Sequence, residues 1–311
     1  MKCERFRDFD EFAESVRGVD ARMLFQNPTR RSWAIDHLNL AGVHVQLGRL
    51  GSGNIVEGVT RPDGYLLYLP LTGDCEYAAN GVVIPGHSFM VLEPGADFCV
   101  STKYEHDWCT IVAPSDMIES GSAEDDSPEK KRCYITRPNR RVAERFLSLV
   151  RGPLGTAAAH PEFQGSLAAT RAATDLLEIG KFVLREPNAE RTSPRGRPRA
   201  PREDIIRRVM EHLDERNDDR PRVADLATAA NVTERTLRTA FHEYYGVGPA
   251  SYLQLRSLHQ VHHALRAADQ DETTVAEVLL DHGVWEFGRF AGQYRRQFDE
   301  LPSATLRMKP H

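Results

Sequence analysis

A stretch from Thr233 to Tyr245 carries the side chains with the clearest chemistry in this chain. Leu237, Ala240, Phe241 and Tyr245 recur at helical spacing and belong in a core, so the opposite face presents Glu234, Arg235, Arg238, Thr239 and His242. Thr233 stands where a helix needs its N-cap. Such a face suits a DNA major groove. An arginine there can donate two hydrogen bonds to O6 and N7 of a guanine, worth ~1–3 kcal/mol of discrimination per base pair.

The elements that position this face occur twice. The first copy opens Val223-Ala-Asp-Leu and closes at Tyr245-Gly246 and Pro249; the second opens Val275-Ala-Glu-Val and runs through Phe290, Tyr294 and Phe298 to Pro302. The offset is 52 residues from Val223 to Val275 but 53 from Phe241 to Tyr294 and from Pro249 to Pro302, so one residue is inserted at the second turn. Ahead of the first copy, Asp204 to Glu215 predicts a helix burying Ile205, Ile206, Val209, Met210 and Leu213. A helix over 223–230 then ends at Asn231, which tolerates the left-handed conformation a tight turn requires. Gly246-Val-Gly-Pro249 stops the next helix, and Ser251–Ala267 makes a connector of about 25 Å. Recognition helices roughly 34 Å apart can read successive major grooves on one side of a duplex. Trp285, Phe290, Tyr294 and Phe298 are expected in the core, and His259, His262 and His263 read as solvated or packed side chains.

Residues 203–308 resemble the DNA-binding domain of the AraC/XylS family of bacterial transcription regulators. The likeness rests on Leu226-Ala227, Thr233-x-Arg235-x-Leu237-x-x-x-Phe241, Gly246-Val-x-Pro249, Tyr252-x-x-x-Arg256, Val275-Ala276-Glu277, Gly283, Trp285, Gly288-Arg289-Phe290, Tyr294, Phe298 and Pro302. Departures are the run from Arg256 to Leu265, Val284 in place of the usual Phe, and Asp299 where a Gly is commonest. The resemblance implies base contacts at Arg235, Arg238 and Thr239 in the first copy and at Phe287, Gly288, Ala291 and Gly292 in the second. Gly and Ala offer no side-chain donor, so the first copy is expected to read sequence. The second is expected to hold phosphates through Arg289, Arg295 and Arg296, with Phe287 against thymine methyls. The family also implies contact with RNA polymerase and an N-terminal domain that senses a ligand or dimerises.

Upstream, Phe9, Phe12 and Val16 mark a short helix, followed by the turn Gln26-Asn-Pro. Runs of Val, Ile, Leu, Tyr and Thr then predict strands near 42–50, 54–60, 64–70, 74–79, 81–84, 87–92, 97–102 and 107–113, with Asn80-Gly81 as a two-residue hairpin turn. This pattern suggests an antiparallel barrel or double-sheet jelly roll of the cupin kind. Cupin enzymes carry an H-x-H motif that this region lacks; Ile84-Pro-Gly-His87 only faintly resembles their second motif, and His44, His87 and His106 are isolated. No metal or cofactor is expected. A non-catalytic pocket is, with Tyr65, Tyr68, Glu93, Phe98 and Trp108 as candidate lining. Residues 114–131 read as an acidic loop. Amphipathic helices over 137–150 and 163–184 must bury Leu167, Leu176, Leu177, Ile179, Phe182 and Val183 on the barrel, on a second subunit, or partly on each.

Residues 187–202 hold five arginines and four prolines, the composition of a linker. Its centre, Arg195-Gly-Arg197-Pro198, is similar to minor-groove AT-hook peptides, which puts Arg197 among the candidate DNA contacts. The net charge of −5 argues against a protein that coats nucleic acid, so local charge decides where a polyanion docks. Five scattered cysteines without C-x-x-C spacing are read as buried thiols. No signal peptide or membrane span is legible, which predicts a cytoplasmic protein. The expected fold is α+β: a cupin-like antiparallel β-barrel over 1–135, a helical segment over 136–187, a basic linker over 188–202, and an all-α double helix-turn-helix domain over 203–311. The expected function is that of a non-enzymatic, sequence-specific regulator, a ligand-responsive activator whose partners are double-stranded DNA, RNA polymerase, a small-molecule effector and a second copy of the chain. Two alternatives stay open: a cupin metal enzyme with an appended DNA-binding module, and a ligand-independent architectural protein.

Overall fold

The computed structural model describes residues 2–73, 75–118, 133–185, 190–191, 202–215 and 221–308. The chain divides into two compact units, Met1–Pro194 and Arg195–His311. The basic run around Arg197 and most of the acidic stretch lie outside the described residues.

The N-terminal unit comprises β1 (Lys2–Phe6), α1 (Phe9–Ser15), β2 (Val19–Gln26), β3 (Trp33–Leu40), β4 (Val43–Leu50), β5 (Gly53–Thr60), β6 (Gly64–Pro70), β7 (Tyr77–Ala79), β8 (Val82–Ile84), β9 (Phe89–Leu92), β10 (Asp97–Thr102), β11 (His106–Pro114), α2 (Ser115–Ile118), β12 (Cys133–Thr136), α3 (Arg140–Ala159), α4 (Leu167–Leu184) and β13 (Glu190–Arg191). All eight strands read from the sequence are present as β4 to β11. The antiparallel class is borne out, but the strands do not close into the expected barrel: they part into an 8-stranded sheet, β1-β3-β4-β11-β6-β9-β12-β13, and a 5-stranded sheet, β2-β5-β10-β7-β8. Asn80 and Gly81 take φ of 48° and 77°, the paired left-handed conformation that joins β7 to β8.

Strand alternation builds three layers from one set of sequences. Leu66, Tyr68, Met90, Leu92, Trp108 and Thr110 face a void between the sheets. Their neighbours Leu67, Leu69, Phe89, Val91, Cys109 and Ile111 share one core with Ala143, Phe146, Val150, Leu176 and Val183 of α3 and α4. The large sheet is therefore covered on both faces, which explains why β6, β9 and β11 read as unbroken apolar runs.

Several expectations are corrected. The helix expected over 137–150 runs on to Ala159 from an Asn139 cap, and Phe163 belongs to a 3-10 turn ahead of α4 rather than to α4 itself. Leu176, Ile179 and Val183 are buried against the sheet, but Leu167 and Phe182 are exposed. Residues 115–118 form α2, with Ile118 buried, instead of belonging to the loop. The sequence reading also missed β1, β2, β3, β12 and β13. β3 was hidden by its polar centre, where Asp36 accepts from the Arg49 guanidinium at 2.9 Å and so can be buried. Only Cys99 and Cys109 are buried thiols; Cys3 is exposed, and Cys75 and Cys133 are half-buried.

The C-terminal unit is all helical: α5 (Arg202–Glu215), α6 (Val223–Ala229), α7 (Glu234–Tyr245), α8 (Pro249–Ala267), α9 (Val275–Asp281), α10 (Phe287–Phe298) and α11 (Pro302–Leu306). Around the first copy Phe241, Tyr245 and Tyr252 form an aromatic knot, with Tyr245 and Tyr252 stacked at 4.6 Å. Around the second, Leu258, Val261 and Leu265 of α8 pack with Val278, Leu279, Val284, Phe290 and Tyr294. The connector thus belongs to both cores. Arg256 on α8 is buried and donates to Asp214 of α5 at 2.9 Å.

Candidate nucleic-acid interface and effector cavity

The two copies build their turns with the same hydrogen bonds. Val232 N–H donates to the Ala227 carbonyl at 2.9 Å and Val284 N–H to that of Leu279 at 2.8 Å, an offset of 52. Asn231 and Gly283 take left-handed φ of 55° and 65°. One step later the offset is 53: Leu237 N–H donates to Thr233 and Phe290 N–H to Glu286, both at 2.9 Å. The inserted residue is therefore Trp285. The helices also end alike, at Gly246 and Asp299 with φ of 73° and 64°, so the aspartate serves in the position where glycine is commoner.

In α7 the expected face is present. Glu234, Arg235, Arg238, Thr239 and His242 are exposed, while Leu237, Ala240, Phe241 and Tyr245 are buried. Thr233 Oγ1 caps the helix by accepting from Thr236 N–H at 3.2 Å. Arg238 donates to Glu234 Oε2 at 2.6 Å, and Thr239 Oγ1 donates to the Arg235 carbonyl at 3.0 Å. The Arg235 guanidinium has no partner among the described residues.

In α10, Phe287, Gly288, Arg289, Gly292, Arg295 and Arg296 are exposed and Ala291 is half-buried. Arg289 donates to Glu286 at 3.1 Å. No side chain caps this helix, so its first N–H groups are open to an anion. Phe290 and Tyr294 are core residues as expected, and Phe298 stacks on His262 at 4.2 Å. Trp285 is not in the core: it is 78% exposed. His259 and His262 are buried packing residues and His263 is exposed. No group of three or more metal-ligating side chains occurs among the described residues.

The void in the N-terminal unit measures about 60 Å³, room for a few water molecules. Tyr68, Phe98 and Trp108 line it as expected. Tyr65 and Glu93 do not: Tyr65 falls on the opposite face of β6 by strand alternation, and Glu93 sits in the turn after β9. Tyr68 stacks on Trp108 at 6.1 Å, burial raises its hydroxyl pKa, and that hydroxyl makes no hydrogen bond among the described residues. The sequence reading missed Arg17, on the segment between α1 and β2, which also lines the void. No carboxylate pairs with its guanidinium among the described residues, and with Lys2, His37 and His44 it borders a second recess of about 240 Å³. Nearby His106 is a packing residue, pushed down to about 4 by burial and placed 3.0 to 3.1 Å from the Tyr104 and Ser52 carbonyls.

An all-helical unit with two copies of one turn, each presenting a cationic helix face, is a DNA-binding double helix-turn-helix domain. Comparison with known proteins agrees. The helix-turn-helix domain family matches residues 226–308. The XylDLEGF operon transcriptional activator 1 of Pseudomonas putida is 27% identical over 252 residues, 78% of this chain and 74% of that one. The XylDLEGF operon transcriptional activator 2 of the same organism is 35% identical over 99 residues, 32% of this chain and 63% of that one. Among solved structures, the AraC-like transcriptional activator CuxR is 12% identical, with 90% of this chain and 99% of CuxR covered at a TM-score of 0.43. The helix-turn-helix domain and these relatives make the chain a DNA-binding transcription regulator, similar to regulators of the AraC/XylS type.

Proposed function

We propose that the chain is a ligand-responsive activator that reads two successive major grooves of one duplex, α7 by base contacts and α10 chiefly by phosphate contacts. The observation that carries this reading is the contrast between the two exposed faces, Arg235, Arg238 and Thr239 on α7 against Gly288 and Gly292 among arginines on α10. The connector α8, 19 residues and about 28 Å long, suits the spacing of one helical turn of DNA. The Pseudomonas putida relatives named as activators support the direction of regulation, and contact with RNA polymerase follows from it. The effector site is the void lined by Tyr68, Phe98 and Trp108, with Arg17 at its edge. A compact, mostly apolar molecule carrying an anionic or accepting group fits that lining, and the flexible Met23 and Met90 side chains let it widen. A homodimer would form on α4, where Leu167 and Phe182 remain exposed.

The test is selection of a duplex by the full chain from a randomised library spanning two helical turns, followed by binding at fixed salt. A specific regulator holds its selected duplex ~10³-fold or more tighter than a scrambled one. Equal affinity for both would leave only an architectural role. Substituting Arg17→Ala should abolish effector-dependent transcription from that duplex without weakening DNA binding; a variant that still responds removes the assignment of the cavity.

A further inference from the structure

Trp285 is the most exposed large apolar side chain among the described residues, 78% open to solvent. The fold does not need it. The first copy closes the same turn with one residue fewer, passing directly from Val232 to the capping Thr233, and Trp285 contacts no other ring among the described residues. Its position is one residue ahead of Glu286, where α10 begins, and Phe287, 38% exposed, follows on the other side. Two rings therefore bracket the leading end of the second recognition helix.

The helix behind them is bare. A Cβ added at Gly288 or Gly292 would meet nothing within 4 Å, so neither glycine is demanded by packing in the protein itself. With no side chains there, a duplex can approach the backbone of α10 closely and meet the rings first. Apart from the single indole N–H of Trp285, the two rings offer a base edge only carbon, which neither donates nor accepts. The major-groove group that rewards contact with carbon is the thymine 5-methyl.

We infer that Trp285 and Phe287 form an apolar pair that reads thymine methyl groups in the second half-site. The inference rests on the DNA-binding reading and changes it in one respect: the second copy carries sequence information of its own, through shape and methyl contact instead of hydrogen bonds. Burying one methyl against a ring corresponds to about a fourfold change in affinity.

The experiment uses the full chain and the duplex it selects from a randomised library. Each thymine is replaced in turn by deoxyuridine, which removes only the methyl. In the second half-site one or two replacements should weaken binding about fourfold each, and the same replacements should cost nothing for a Trp285→Ala, Phe287→Ala double variant. A flat uracil scan with the wild-type chain overturns the inference, as does an equal loss in the variant. A second readout needs no substitution. Trp33 and Trp108 are 2% and 5% exposed, so emission quenchable by acrylamide comes from Trp285. Saturating selected duplex should shield it, and undiminished quenching in the complex overturns the inference. Failure of the library to enrich any duplex would remove the DNA reading and this inference together, whereas enrichment with a flat scan removes this inference alone.

Discussion

Val232 and Val284 occupy the same point of corresponding turns, and the two motifs part company immediately after them. In the first, Thr233 caps α7 and the helix presents Arg235, Arg238 and Thr239; in the second, Trp285 is inserted, Glu286 leaves α10 uncapped, and Gly288 and Gly292 leave its face bare. Behind those faces the cores correspond, Leu237 with Phe290 and Phe241 with Tyr294, and so do the helix ends, Gly246 with Asp299. Packing tolerates little change inside a core, where a lost contact costs several kcal/mol, so the repeat persists there. An exposed face has no such constraint. Equivalence of fold between the copies therefore does not carry equivalence of readout.

Four measurements would break or sharpen this contrast. The largest effect is expected at Arg235, whose unpaired guanidinium is free to meet a guanine: Arg235→Ala should cost ~1–3 kcal/mol on the selected duplex and relax specificity at one position. Arg289→Ala or Arg295→Ala should instead weaken binding to all duplexes alike and flatten the salt dependence by about one unit of slope. If the arginine variants of α10 change specificity as much as Arg235→Ala does, the division of labour is wrong. Next comes the pair of helix ends. Gly246→Ala forces a Cβ into the left-handed region and should lower stability by ~1–2 kcal/mol, while Asp299→Gly should raise it by up to about 1 kcal/mol, both read by thermal melts.

Gly292→Ala should also raise stability, by ~1 kcal/mol, because the added methyl meets open space and alanine is the better helix former. The same variant should weaken binding to the selected duplex. A gain in stability with unchanged affinity would mean that DNA does not approach the bare face of α10. The smallest effect is expected from Glu234→Gln. It releases Arg238 from an exposed ion pair of about 0.3–0.5 kcal/mol, so affinity at low salt should improve by no more than about twofold.

Much of the C-terminal unit was legible because its signals are local. Thr233 as cap, Asn231 as a left-handed residue, Gly246 as the stop of α7, and the buried stripe of that helix all follow from neighbours within a turn or two of helix. Trp285 was misread for the same reason: aromatic residues near a core motif usually pack, and only the hydrogen-bond register of both turns identifies it as the inserted residue. In the N-terminal unit, β4 to β11 were legible from their apolar runs and turn residues. β3 was not, since Asp36 and His37 break the run, nor was the hairpin at Ala41-Gly42, where an alanine takes φ of 47°. Of the five pocket candidates, Tyr68, Phe98 and Trp108 line the void, whereas Tyr65 is one residue out of phase with its inner face.

The sequence by itself determined the double helix-turn-helix, the residues on each recognition face and the antiparallel class of the N-terminal unit, because periodicity, caps and turn residues act over a few positions. Only the tertiary structure decided which strand faces meet across the void, that Arg17 reaches its edge, that α3 and α4 cover the outer face of the large sheet, and that Trp285 stands in solvent. Those facts depend on contacts between residues far apart in the chain. No local pattern encodes them, since the same alternation of apolar residues serves either face of a sheet until its partner layer is in place.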